Sequence, residues 1–150
     1  MNTNAANHGV KFDAWRQYFE TSARVTSALD QALTERTGIG LGDYNILLAL
    51  VEAPERKLRM GELAQLILFS GSRLSYRIKV QQDRGWVTVT QDPDDGRSRW
   101  VQLSSDGLRT FLKATKVHQE QVQCLFMDQI SEADAETVMR VFQRIELGLE

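Results

Sequence analysis

The sequence predicts a mainly α chain with one small β-hairpin, in a single domain over residues 1–150. Three observations predict it. Apolar residues recur at helical spacing in the first third, in the middle and again from Leu108 to Leu149. The period changes to strand-like alternation once, at residues 86–103. Glycine and proline punctuate the helical stretches at Gly38, Gly40, Pro54 and Gly85.

Residues 1–9 are small and polar and read as an unstructured start. From Phe12 through Trp15, Phe19, Ala23, Leu29 and Leu33, a helix of about 25 residues is expected, stopped by Gly38. Tyr44, Leu47, Leu48 and Val51 make a second helix, with Asp43 where a carboxylate suits the helix dipole. After a basic link, Leu63, Ala64, Leu66 and Ile67 mark a short third helix. Phe69-Ser70-Gly71-Ser72 breaks it, and Leu74 and Ile78 carry a fourth helix to a glycine cap at Gly85. Trp86-Val87-Thr88-Val89-Thr90 is β-branched and aromatic, Asp92-Pro93-Asp94-Asp95-Gly96 is turn chemistry, and Ser98 to Leu103 reads as the returning strand. Ser104 or Ser105 caps a fifth helix of about six turns. Ser131-Glu132-Ala133-Asp134 opens a sixth in the manner of a capping box.

The 150 residues suffice for a core without metal or disulfide. No apolar run reaches the roughly 18 residues of a membrane span, and no apolar signal-type segment opens the chain. The single cysteine, Cys124, fits a reducing compartment, so a cytoplasmic address is expected and no membrane partner. The net charge is −2, yet residues 56–99 hold nine basic and five acidic side chains against nine and fifteen elsewhere. A basic middle between acidic ends suits a nucleic-acid-reading module in an acidic scaffold.

That middle has a physical logic. Two short helices joined by a tight Ser-Gly turn make a helix-turn-helix, whose second helix fits a major groove. With Leu74 and Ile78 inward, Ser72, Arg73, Tyr76 and Lys79 face outward. The hairpin tip supplies Arg97, suited to a minor groove, with Asp95 placed to orient its guanidinium. The expected DNA-contact set is Ser70, Ser72, Arg73, Ser75, Tyr76, Arg77 and Lys79 from the helix and its turn, and Asp95, Arg97 and Arg99 from the hairpin. The acids Asp92, Asp94 and Asp95 oppose this reading unless paired or turned away.

Here the sequence resembles a known family. The run Ser72-Arg73-Leu74-Ser75-Tyr76-Arg77-Ile78, then Arg84-Gly85-Trp86-Val87, Asp92-Pro93-Asp94-Asp95-Gly96-Arg97, and Leu103-Ser104-Ser105-Asp106-Gly107 is similar to the multiple-antibiotic-resistance regulator (MarR) family, as is Glu62-Leu63-Ala64. The resemblance extends over nearly the whole chain through the order of helices. It implies a winged helix-turn-helix lobe at 41–103, flanked by dimerisation helices at 10–37 and 104–150. It implies a homodimer on a pseudo-palindromic operator in double-stranded DNA, usually a repressor, and often release by a small aromatic effector. In the wing motif, Arg97 matches the minor-groove arginine and Asp95 its acidic neighbour. Four positions depart from the pattern: Arg59 replaces a capping Thr, Gln81 an apolar residue, Lys79 an Asp and Ser104 a Thr. A core-facing Gln81 needs a partner, or the helix turns to bury Val80 instead.

Other features carry milder readings. Cys124 is expected as a small packed hydrophobe and His118 as a hydrogen-bonded interface residue. Trp15, Phe19, Tyr44 and Trp100 are candidates for an effector pocket, with core and dimer packing the simpler account. No phosphate-cradling loop, nucleophile elbow or metal-ligand spacing occurs, so no enzyme, no catalytic residue, no metal and no cofactor is expected. Two further readings stay open: a winged-helix protein-interaction module, and a sequence-tolerant architectural DNA binder.

Overall fold

A computed structural model describes residues 9–67 and 71–149. The expected unstructured start thus lies outside the described residues except for Gly9, and so do Phe69 and Ser70 of the expected helix break. Six α-helices and three short strands follow in order: α1 (Gly9–Thr37), α2 (Leu41–Glu52), β1 (Lys57–Arg59), α3 (Met60–Ile67), α4 (Gly71–Asp83), β2 (Val87–Gln91), β3 (Arg99–Leu103), α5 (Ser105–Leu125) and α6 (Glu132–Leu147).

Local chemistry explains most boundaries. Gly38 follows α1 with φ +78°, and Gly85 follows α4 with φ +74°, a region that disfavours side chains with a Cβ. The α5 cap is Ser104, whose Oγ accepts from the Gly107 N–H at 2.9 Å. A complete capping box opens α6: Ser131 Oγ accepts from the Asp134 N–H, and Asp134 returns the contact to the Ser131 N–H at 3.0 Å.

The sheet corrects one expectation. The hairpin is the outer part of a three-stranded antiparallel sheet in the order β1-β3-β2. The basic link is its third strand, pairing Lys57 with Gln102, Leu58 with Val101 and Arg59 with Trp100. Only three residues long and carrying two charges, β1 has no alternation to announce it.

The core is continuous. Leu33 of α1, Ile46, Leu47 and Leu50 of α2, Leu63 of α3, Leu74 and Ile78 of α4, Val87 and Val101 of the sheet and Phe111 of α5 are all buried together. Burial of one such leucine is worth about 1.5–3 kcal/mol. Tyr44 stacks between Phe111 at 5.4 Å and His118 at 4.6 Å, joining α2 to α5. By contrast the outer parts of α1 and α6 leave apolar side chains uncovered: Trp15, Phe19, Met139 and Ile145 are each more than half exposed.

Candidate nucleic-acid interface

Helix α4 buries Leu74, Ile78 and Gln81 and turns Ser72, Arg73, Ser75, Tyr76 and Lys79 outward. The i, i+4, i+7 spacing of the buried set fixes this orientation. The expected face is therefore present, and the alternative rotation onto Val80 does not occur, since Val80 is only half-buried. Tyr76 is 72% exposed, a large ring left in solvent at the centre of the face. Lys79 pairs with Asp83 one turn on.

Arg77 stands apart from the contact set in which the sequence placed it. Its Nη1 donates to Asp43 Oδ1 at 3.0 Å, and the side chain is 28% exposed. It braces α4 against the first turn of α2. Gln81 joins the same carboxylate, its Nε2 donating to Asp43 Oδ1 at 3.3 Å and to the Asp43 carbonyl at 3.4 Å. The Gln81 Oε1 is buried without a hydrogen-bond partner.

The wing is a tight turn between β2 and β3. The Asp92 N–H donates to the Ser98 carbonyl at 3.0 Å and the Ser98 N–H to the Asp95 carbonyl at 2.9 Å. Asp95 Oδ1 accepts from the backbone N–H of Arg97 at 3.0 Å. This corrects the expected role of Asp95. It shapes the turn through the Arg97 backbone and does not hold the guanidinium, because an Asx-type bond two residues ahead is the nearer donor. Arg97 and Arg99 are both exposed, and among the described residues neither pairs with a carboxylate. With Asp95 and Ser98 of the wing they line an open cleft of about 470 Å³, whose other side is Gly61 and Ala64 of α3 and Ser75 of α4.

The three wing acids are not equivalent. Asp92 is buried; its Oδ2 accepts from Arg59 Nε at 2.8 Å and its Oδ1 from the Asp94 N–H at 3.0 Å. The Asp94 N–H, foremost, and then the Arg59 guanidinium hold the Asp92 carboxyl below its ordinary value, against the opposing effect of desolvation. Asp94 and Asp95 remain exposed. Arg59 also lies over the Trp100 ring at 4.9 Å, with Lys57 Nζ over the same ring at 4.5 Å. The Arg59 N–H donates to Glu62 Oε2 at 2.8 Å, so α3 keeps half of a capping box without the hydroxyl. Arg59 and Asp43 are the site residues that sequence reasoning missed. Neither has a local signal, since their partners lie 33 and 34 residues away.

Ser70, the remaining expected contact, lies outside the described residues. The four aromatic effector candidates do not converge. Trp15 and Phe19 are exposed neighbours on α1 with ring centroids 5.8 Å apart, Tyr44 is in the core and Trp100 is at the wing root. Cys124 is exposed, not packed as expected. His118 is half-buried against Tyr44, and desolvation lowers its pKa from the usual 6.5. Among the described residues no group of three or more His, Cys, Asp or Glu could hold a metal, and no helix is long and apolar enough to cross a membrane.

Helix-turn-helix, third strand and arginine-bearing wing fall within one stretch, and residues 37–98 match the sequence model of the MarR family. Residues 37–98 carry a MarR-family winged helix-turn-helix. Solved MarR-family structures extend the likeness beyond that stretch. Sco3205, a MarR family transcriptional regulator from Streptomyces coelicolor solved in complex with DNA, is 27% identical, with a TM-score of 0.85 over 91% of this chain and 89% of that one. AbsC, a MarR family transcriptional regulator from the same organism, is 26% identical, with a TM-score of 0.86 over 99% of this chain and 98% of that one. Bordetella bronchiseptica BpsR, whose DNA binding is regulated by 6-hydroxynicotinic acid, shares the fold at 14% identity, with a TM-score of 0.76 over 97% of this chain and 98% of that one. No curated protein matches the sequence significantly.

Proposed function

We propose that this MarR-family chain is a homodimeric, DNA-binding transcription regulator of the cytoplasm and not an enzyme. Helix α4 enters the major groove, and the wing lays Arg97 and Arg99 along the flanking minor groove and backbone. One observation carries the reading: two exposed arginines, without carboxylate partners among the described residues, project from the wing beside the hydroxyl-and-arginine face of α4, while Asp92 is withdrawn into the wing root. An unpaired cation loses little on meeting a phosphate, and each such contact releases condensed counterions. The DNA complex of Sco3205 supports the same partner.

The uncovered apolar stretch of α1 and α6 supports a second copy as the other partner, so that residues 10–37 and 104–150 dimerise and 41–103 form the reading lobe. Two recognition helices would then lie about 34 Å apart, one duplex turn, and read a pseudo-palindromic operator as a repressor. A small aromatic effector would release the dimer by preferring another spacing of the lobes. The regulation of BpsR by an aromatic acid is a fold-level precedent for such control.

The test is duplex binding by fluorescence anisotropy across a salt series, using DNA from beside the protein's own gene. Affinity should fall steeply with salt. Arg97→Ala should weaken binding and flatten the log–log slope by roughly 2, about 0.9 for each of two wings. Salt-insensitive or absent binding to every duplex would favour the protein-interaction reading. Equal affinity for the specific and a random duplex would favour the architectural one.

A further inference from the structure

The chain departs from an apolar recognition-helix core at Gln81, and the structure shows where that polar group goes. The carboxylate of Asp43 gathers two side chains of α4 that are one helical turn apart, Arg77 at 3.0 Å and Gln81 at 3.3 Å. Two contacts one turn apart resist rotation of a helix about its axis in a way that one contact, or a smooth leucine face, does not. The turn of α2 that carries Asp43 is itself anchored. Its Leu41 N–H donates to Asp30 Oδ1 of α1 at 2.7 Å, and Tyr44, the next residue, is held in the Phe111–Tyr44–His118 stack against α5. The rotational setting of α4 is thus referenced to α1 and α5 through residues 41–44.

We propose that Asp43 is a positioning residue for sequence recognition: through Arg77 and Gln81 it fixes the rotation of α4, and with it which base edges Ser72, Arg73 and Tyr76 meet. The inference rests on the DNA-binding reading above. A rotation of a few tens of degrees leaves every outward cation on the DNA side but moves side-chain tips by ångströms. Base contacts depend on that placement and phosphate contacts far less. Loss of the clamp should therefore degrade discrimination and leave nonspecific attraction nearly intact.

The test uses the full chain and the tightest duplex that the parent protein selects from a random pool, beside a random duplex of the same length. Asp43→Asn and, independently, Arg77→Met should each lower the selected-to-random affinity ratio at least tenfold, with the salt slope on the random duplex unchanged. The double variant should lose no more than the worse single one, because both remove one contact. Asp43→Glu should restore part of the ratio, and selection repeated with Asp43→Asn should return a relaxed or different consensus. Helical content by circular dichroism confirms that each variant is folded, and Arg77→Met carries the test if Asp43→Asn is not. An unchanged ratio and consensus in the folded variants would overturn the clamp while leaving DNA binding intact. Additive losses in the double variant would also overturn it. Absence of salt-sensitive binding by the parent would overturn both.

Discussion

Gly107→Ala is the sharpest test of how the wing meets the long helix behind it. Gly107 lies in the first turn of α5 and its φ is not positive, so the glycine is not there for conformational freedom. It is there for space. A Cβ at 107 would sit 2.1 Å from the Trp86 carbonyl oxygen, 2.9 Å from its carbon and 2.8 Å from Leu103 Cδ1. The Leu103 methyl can swing aside, but the Trp86 carbonyl cannot, because it accepts from the Ser104 N–H at 2.9 Å and the Ser104 Oγ at 3.0 Å. Relief requires α5 to withdraw by about 1 Å, an overpacking cost of about 1–3 kcal/mol. Withdrawal also stretches the bond from the Ser104 N–H, worth about 1 kcal/mol. A total near 3 kcal/mol lowers the Tm of a chain this size by roughly 6–12 °C. Thermal unfolding by circular dichroism, at one fixed protomer concentration for both proteins, measures it. A Tm within about 2 °C of the parent would refute the close approach.

Three further outcomes follow from the same contacts. Gln81→Leu should raise stability by about 1 kcal/mol, or 2–4 °C in Tm, since it removes a buried acceptor without a partner and loses only two long hydrogen bonds; a clear fall in Tm would contradict this. Asp92 has a folded-state pKa below 3.8, so its contribution is complete above that value and disappears as pH falls through the lower folded one. Urea midpoints for the parent and Asp92→Asn should therefore converge in acid, and a constant gap from pH 6 to pH 2.5 would contradict it. His118 also has a lowered pKa, but as a base it must shed a proton on burial, so the folded state loses stability as pH drops below 6.5. His118→Phe should keep the stack on Tyr44 and flatten that slope, and an equal slope in both proteins would disprove the cause.

The helices were legible because period and punctuation agree: Leu74 and Ile78 point inward as spaced, Gly38 and Gly85 end helices at positive φ, and Ser131 and Asp134 form their box. What escaped depends on partners far along the chain. Arg77 reads as one more outward cation until Asp43, on another helix, claims it. Asp95 reads as a partner for the Arg97 guanidinium, whereas the backbone N–H of the same residue is closer. Lys57-Leu58-Arg59 becomes a strand only because β3 offers an open edge to pair with. Cys124 and the aromatic side chains of α1 carry an apolar periodicity that says they are covered but not by what, and within one chain they stay exposed.

The bare α1–α6 surface also bears on how any titration is interpreted. On the dimer reading, dilution to the nanomolar protein levels of an affinity experiment separates subunits as well as complexes. The apparent midpoint then folds self-association into DNA affinity, and the curve steepens because two subunits are recruited per site. Holding duplex constant while varying total protein, and comparing with a covalently tethered pair, separates the two equilibria.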